Sequence, residues 1–321
     1  VLGGLRVSIP RNSLVIPVYG NSETIGPLVE AVQGIRDSTE GGFEVVFVVD
    51  GSPDDSRTRL VAALEGAELE AQVVDHSRNF GSFAAIRTGM SLARGELIAV
   101  MAADLQEPPE LAVEFLERLR TEDVDVVVGE RAVREDRGDA FSKLYWLLYR
   151  KFVLSEIPSG GADVFACRAS VRDVICSLES VHTSLIGQLF WVGFRRRLVP
   201  YERRKSTGKS GWTLGRKLRY LSDSVFAFTD LPVRLLWLVG LIGLFLGSLL
   251  ALLVVIAKAA GAVSVPGYTA TILVIVLFGS FNMIGLGIIG SYVYRAYETS
   301  KGRPGAIVRE VLEFRAADAD G

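Results

Sequence analysis

Apolar and polar positions change rhythm along the chain, and each rhythm predicts a different element. Ser13–Val18 is a short apolar run containing Pro17, and Phe43–Val49 is continuous and apolar, the pattern of a strand covered on both faces. Gln72–Asp75, Leu97–Met101 and Val124–Gly129 read as further strands. Between them Thr24–Arg36 has helical spacing, Gly81–Ala93 reads as helix, and Pro108 and Pro109 open a helix reaching Leu119. Asp50-Gly51-Ser52-Pro53-Asp54-Asp55 turns the chain, with Ser52 or Asp54 placed to cap the helix that follows. Strands alternating with helices predict an α/β fold, a mostly parallel sheet with helices on both faces. In such sheets ligands sit beyond the carboxyl ends of the strands, where Asp50 and Asp104 stand.

A different pattern follows residue 234. Leu235–Ala257 and Thr269–Tyr294 carry no charge, and each exceeds the roughly 20 residues that cross a bilayer. The short connector Lys258–Tyr268 holds Gly261, Pro266 and Gly267, so the two runs predict a transmembrane hairpin. Gly243-x-x-x-Gly247 and the series Gly285, Gly287, Gly290 would let helix backbones approach closely. Arg203, Arg204, Lys205, Lys209, Arg216, Lys217, Arg219 and Arg234 precede the first run, and Arg295, Lys301, Arg303 and Arg309 follow the second. The connector has only Lys258, so the positive-inside rule puts both ends in the cytoplasm, at the cytoplasmic membrane. Ala140–Val153 and Leu214–Phe228 mix aromatic residues with Lys and Arg. They read either as amphipathic interfacial helices or as ordinary packed ones. The expected divisions are a domain over 1–212, a juxtamembrane helix over 213–234, the hairpin over 235–294, and a cytosolic tail over 295–321.

Composition sharpens this picture. The hydrophobic share is 49% and the mean hydropathy +0.33, with the excess concentrated after Leu235. A net charge of -2 gives no basic signature of a nucleic-acid binder. Cys167 and Cys176 make neither a disulfide framework nor a metal spacing and read as reduced thiols. Val1–Pro10 lacks the long apolar core of a signal peptide.

Asp104-Leu105-Gln106 follows a strand and offers oxygen ligands suited to Mg2+ or Mn2+ shared with a diphosphate; the plain alternative is a solvated strand-end carboxylate. Arg78-Asn79-Phe80-Gly81, between a strand and a helix, is either a phosphate-binding turn or a capping turn with a surface Arg. Gly160-Gly161-Ala162-Asp163 is a turn holding one carboxylate, and His76 and His182 read as structural.

Taken in order, VIPVYGNSETI (15–25), FVVDGSPDDS (47–56), SRNFGSFAAIRTGMSLARGE (77–96), AADLQEPPEL (102–111), VVVGER (126–131), WVGFRRRLVPYERR (191–204), GKSGWTLGRKLR (208–219), LPVRLL (231–236) and the second apolar run with its tail resemble one family. It is the polyprenyl-phosphate branch of the family 2 glycosyltransferases, which includes dolichol-phosphate mannose synthases, bactoprenol glucosyltransferases and undecaprenyl-phosphate aminoarabinose transferases. The resemblance implies a GT-A fold and inverting transfer of a sugar from a nucleotide-sugar, by family habit a UDP-sugar, to a polyprenyl phosphate. It implies Pro17 and Tyr19 at the base, Asp50 at the nucleoside with Ser52 beside it, and Asp104 and Gln106 on Mg2+ or Mn2+. Arg131 would meet a phosphate with help from Arg78, and Asp163 would orient the acceptor. Arg203, Arg204 and Ser210 would belong to the stretch that closes over the phosphates. Relatives often form homo-oligomers such as tetramers.

Four stretches depart from the family pattern. Val49 stands for the first Asp of Asp-Asp-Gly-Ser, Ala102 for the first of Asp-Ala-Asp, and Gly20-Asn21 for Asn-Glu. Gly208-Lys209-Ser210-Gly211-Trp212 replaces Gly-Glu-Ser-Lys-Tyr. Fewer carboxylates weaken a hard-cation site, so the alternative is a relative that binds nucleotide or lipid without turnover, as a scaffold. Gln188-Leu189-Phe190-Trp191 lacks the Gln-x-x-Arg-Trp of processive synthases, and no G-x-G-x-x-G follows the first strand, against a dinucleotide oxidoreductase.

Overall fold

The computed structural model describes residues 12–131, 164–178, 185–202, 231–260 and 267–315. Two compact units divide the chain: residues 1–214 with 304–321, and residues 215–303.

The first unit is built on a sheet. β1 (Asn12–Val18), β2 (Phe43–Val49), β3 (Ala71–His76) and β4 (Leu97–Val100) are mutually parallel where they pair. They are joined by α1 (Ile25–Ser38), α2 (Ser56–Glu65) and α3 (Ser82–Leu92), and α4 (Glu110–Thr121) leads from β4 to β5 (Val126–Arg131). β6 (Phe165–Arg168), α5 (Ala169–Ser177), α6 (Leu185–Trp191) and β7 (Arg196–Tyr201) follow. The order across the sheet is β7-β5-β6-β4-β1-β2-β3-β8, where β8 is Val308–Phe314.

The run Phe43–Val49 is buried at every position because helices cover both faces. On one face Leu14, Ile16 and Val18 join Val45, Phe47 and Val49 against Leu28, Val32 and Ile35 of α1 and Phe115, Leu116 and Leu119 of α4. Those helical positions recur three and four apart, which puts them on one stripe. On the opposite face α3 comes so close that a Cβ on Gly89 would collide with Val15 Cγ1. That position is legible only as a glycine inside a helix, and the sheet explains it.

Two strands run against the parallel expectation. β6 pairs antiparallel with both β4 and β5, and β8 pairs antiparallel with β3. The segment 295–321, expected as a separate tail, therefore supplies the edge strand of the first unit. Leu312 and Phe314 pack on the core, while Arg309 and Glu310 pair with Asp75 and Arg57. A charged edge strand of this kind discourages further strand addition.

In the second unit α7 (Leu231–Ala259) and α8 (Tyr268–Ser300) are long helices. Phe278 seats against Gly243, and Leu236 lies 3.0 Å from where a Cβ on Gly285 would stand, so the small residues mark close approach. Among the described residues no helix is long and apolar enough to cross a membrane, so the transmembrane hairpin expected over 235–294 is not supported by the fold. The complete sequence has no Asp, Glu, Lys or Arg from Leu235 to Ala257 or from Tyr268 to Tyr294. Ala140–Val153, Leu214–Phe228, Asp163, Arg203, Arg204, Lys209 and Ser210 lie outside the described residues.

Candidate active site

The sheet order makes one edge special. From β1 the chain steps to β2 and β3 on one side, then returns to place β4 on the other side of β1. The reversal opens a crevice beyond the carboxyl ends of β1 and β4, the usual ligand position in such sheets. Tyr19, just past β1, and Asp104, past β4, stand on its two sides. Arg78 follows β3 at the same edge. β5 runs parallel to β4, since both pair antiparallel with β6, so Arg131 ends at this edge too. β6 begins there at Phe165, and β7 ends there at Tyr201. From Asp104 to Arg78 the edge spans three strand spacings, about 14 Å.

The loops after β1 and β2 are knitted together. Gly20 N–H donates to Ser52 Oγ at 2.8 Å, Asn21 N–H to Ser56 Oγ at 3.0 Å, and Ser22 N–H to Asp54 Oδ2 at 3.1 Å. Both serine hydroxyls donate to Asp54 Oδ1 at 2.6 Å, and Ser56 N–H reaches the same oxygen at 3.2 Å. Burial pushes the Asp54 carboxyl up, but the hydrogen bonds from Ser52, Ser56 and Ser22 outweigh it and hold it well below the usual range. Ser52, expected at the donor, is thus a brace between two loops. Of the two expected caps, Asp54 is the one that receives an N–H at the start of α2. Thr24 Oγ1 donates toward Ala103 O at 3.1 Å, tying the β1 loop to the end of β4 across the crevice. Pro17 is half-buried within β1, and Tyr19 beyond it is 51% exposed.

Asp50, expected at the nucleoside, has a side chain only 3% exposed, with both oxygens engaged inside the protein. Oδ1 accepts from Phe80 N–H at 2.8 Å and lies 2.8 Å from His76 Nδ1, while Oδ2 accepts from Gly81 N–H at 2.7 Å. Burial raises its pKa, and the His76, Phe80 and Gly81 hydrogen bonds more than reverse that. His76, read as structural, is fully buried; its Nε2 lies 3.0 Å from Thr88 Oγ1.

Asp104 and Gln106 hold each other. Gln106 Nε2–H donates to Asp104 Oδ2 at 2.7 Å and Gln106 N–H to Oδ1 at 3.2 Å. Leu105 between them has φ 53°, and no other non-glycine among the described residues has positive φ. An L-residue there costs about 1–2 kcal/mol, and such outliers persist where surrounding structure fixes them. The Leu105 side chain packs on the core and supplies that constraint. The half-buried pair offers a carboxylate and an amide carbonyl, an all-oxygen set that fits a hard cation shared with a diphosphate. Among the described residues no three His, Cys, Asp or Glu side chains gather into a cage. Cys167 and Cys176 are unbridged, and burial pushes the Cys167 thiol up to about 12.

The sequence reading placed Asp54 only as a helix cap, not as the hub joining two loops, and missed the roles of Asn21 and Thr24 and the strain at Leu105. A polar turn with carboxylate and hydroxyl two residues apart was the available signal for Asp54; nothing local signals a bridge from Thr24 to Ala103.

Known proteins resemble this chain in sequence and in fold. The chain is 30% identical over 304 residues to the uncharacterized glycosyltransferase YkcC of Bacillus subtilis (strain 168), covering 93% of each. It is 30% identical over 308 residues to the undecaprenyl-phosphate 4-deoxy-4-formamido-L-arabinose transferase of Pseudomonas syringae pv. syringae (strain B728a), covering 94% of this chain and 90% of that one. In fold it matches the crystal structure of mannosyl-3-phosphoglycerate synthase from Rubrobacter xylanophilus with a TM-score of 0.50 and 19% identity, over 67% of this chain and 72% of that one. Glucosyl-3-phosphoglycerate synthase from Mycobacterium tuberculosis, solved with Mn2+, UDP-glucose and phosphoglyceric acid, matches with a TM-score of 0.50 and 17% identity, over 67% and 78%. The profile of Glycosyl transferase family 2 matches residues 13–176. With half of its length in that profile and relatives of the undecaprenyl-phosphate branch along nearly all of it, the chain belongs to glycosyl transferase family 2 and is a transferase.

Proposed function

We propose that this transferase moves a sugar from a UDP-sugar to a polyprenyl phosphate of the undecaprenyl type at the cytoplasmic face of a membrane. The carrying observation is the single sheet edge that gathers Tyr19, Asp104, Gln106, Arg78 and Arg131 about the strand-order reversal. Tyr19 and Pro17 lie toward the base, and Arg78 takes a phosphate. Asp104 and Gln106 would hold Mg2+ or Mn2+, which when bound neutralises charge gathering on the departing diphosphate. Arg131, with Arg203, Arg204 and Ser210, holds the acceptor phosphate, and Asp163 orients it.

The acceptor is already an anion, so no strong general base is required. One phosphate oxygen attacks the anomeric carbon while its bond to the nucleoside diphosphate breaks, which inverts the configuration. Positioning and charge neutralisation supply most of the acceleration.

Membrane attachment is part of this reading. The 29 residues of α7 and 33 of α8, at about 1.5 Å each, exceed the roughly 30 Å of a hydrocarbon core. Their exposed side chains include many Leu, Ile, Val, Phe and Met residues, with Phe245 69% and Met283 67% exposed. Basic residues flank the pair, which supports a cytoplasmic position for both ends.

The test is transfer by the purified full chain from labelled UDP-sugars and GDP-mannose to undecaprenyl phosphate, with and without Mn2+. A metal-dependent, inverted lipid-phosphosugar is expected, and D104N lowers kcat/KM by about 100-fold or more. Nucleotide binding with no transfer from any donor overturns the reading. That outcome favours the scaffold alternative, which draws on Val49, Ala102 and the absence of a three-carboxylate cluster among the described residues.

A further inference from the structure

We propose that Asp50 and His76 form a buried latch that fixes Arg78 at the donor edge, so that Asp50 acts through the 78–81 loop and never touches the donor. The end point, what Arg78 meets, rests on the donor reading above; the latch rests on geometry alone.

An ionised carboxylate only accepts hydrogen bonds, so Asp50 determines the state of every group around it. It takes the backbone N–H of Phe80 and of Gly81, the last two residues before α3. Its Oδ1 also lies 2.8 Å from His76 Nδ1, and the other ring nitrogen, Nε2, lies 3.0 Å from the Thr88 hydroxyl of α3. The chain Asp50–His76–Thr88 is closed, and it clamps the loop to the first turns of the helix that follows.

From the clamp a stack leads to solvent. The edge of one ring meets the face of the other between His76 and Phe80, with centroids 5.5 Å apart and planes at 86°. The Arg78 guanidinium carbon stands 4.0 Å from the Phe80 ring centre. His76 is fully buried, Phe80 is half-buried and Arg78 is exposed. Gly51 completes the fit from below: at φ +57° it has no Cβ, and one would run into the backbone of Arg78 and Asn79. A guanidinium held on an aromatic face loses less freedom when it binds an anion than one on a mobile stem. Asp50, with both oxygens occupied and 3% exposure, has no surface to give a nucleoside.

The experiment uses the full chain with D50N, H76N, H76L, R78A and the D50N/R78A double variant. Amide hydrogen exchange at Phe80 and Gly81 is measured without nucleotide, and the Kd for UDP is measured with Mn2+. D50N is expected to expose both amides to exchange and to weaken UDP about tenfold, the scale of one charge-assisted hydrogen bond. R78A weakens UDP equally with the amides still protected. The double variant is no weaker than D50N alone, because the two act in series. H76N keeps an N–H donor near the Nδ1 position and retains protection; H76L, which lacks one, does not.

Independent losses that multiply in the double variant overturn the proposal, and so does D50N with wild-type UDP affinity. A wild-type chain that neither binds UDP nor transfers sugar overturns the donor reading and Arg78's assignment with it. The proposal failing alone is recognised by wild-type binding that D50N leaves intact.

Discussion

The two ends of the sheet each hold a buried carboxylate, and the two differ in what they secure. At the amino end of β2, Glu44 is fully buried; its Oε1 accepts from Ser13 Oγ at 2.7 Å and Arg94 N–H at 2.5 Å, and its Oε2 from Gln72 Nε2 at 3.2 Å. At the carboxyl end, Asp50 accepts from two backbone N–H groups and a histidine. The device is the same: one buried carboxyl group gathers several donors from separate segments. Glu44 closes the Arg94–Gly95 turn and joins three strands. Asp50 closes a loop that carries an exposed cation at the ligand edge. A buried carboxylate therefore does not identify a site; what its partners carry does.

E44A is the strongest way to break this comparison. It strands the Ser13 hydroxyl and the Arg94 N–H and leaves the Gln72 amide only Leu92 O at 3.4 Å, which costs about 3 kcal/mol or more. The thermal midpoint of the full chain is expected to fall by about 6–12 °C. The KM for the sugar donor at permissive temperature should stay within about twofold of wild type. A KM shift as large as that of D50N would mean the two carboxylates are not functionally distinct.

Acid sharpens the contrast next. Asp50 and Asp54 both have folded-state pKa values below the ordinary 3.8. Groups lowered in this way contribute stability that is fully present above the unfolded value and is lost as pH falls through the folded one. Midpoints measured from pH 7 downward should hold until about pH 4 and then decline. In D54N the decline is shallower, because one depressed carboxylate is gone. An unchanged slope in D54N would show that the serine bonds to Asp54 form equally in the unfolded chain.

G51A should act with smaller energy on the same loop. Its φ of +57° strains any L-residue, and the new Cβ meets the backbone of Arg78 and Asn79. We expect a loss of about 1–2 kcal/mol in stability. A rise in donor KM should accompany it, with faster exchange at Phe80 and Gly81. A stability loss with unaltered exchange would place the strain within the turn and not in the loop it touches.

How much of this was legible follows from range. Phe43–Val49, the helix after Pro109 and the Asp104 strand end announce themselves because their physics is local: continuous burial, helical spacing, a turn. The positions of Tyr19 and Arg78 on one edge also follow, since strand–helix alternation alone implies parallel strands. The inward turn of Asp50 was not legible, because its donors lie about 30 residues away and a carboxylate after a strand looks the same whether it faces ligand or loop. β6 and β8 were missed for related reasons. Phe165–Arg168 is too short to show a period, and Val308–Phe314 follows a long apolar run with a charged, exposed pattern typical of a tail. Only the partner strand β3 reveals it as an edge.

R57A carries the smallest expected effect and tests that edge. Arg57 of α2 reaches Glu310 of β8 and stands 3.7 Å from Asp75 of β3. Asp75 is the buried member, with 8% of its side chain exposed, and it has a second cation in Arg309 at 3.3 Å. Removing Arg57 leaves Asp75 accompanied, and the Glu310 partner is 47% exposed, where water replaces the lost attraction. The cost should be under about 1 kcal/mol, as for other surface pairs, and should shrink as salt is added. A loss near that of E44A, insensitive to salt, would mean that β8 is fastened by a desolvated charge network. Asp75 would then join Glu44 and Asp50 as a buried carboxylate whose partners hold separate segments together, with β8 among the segments it holds.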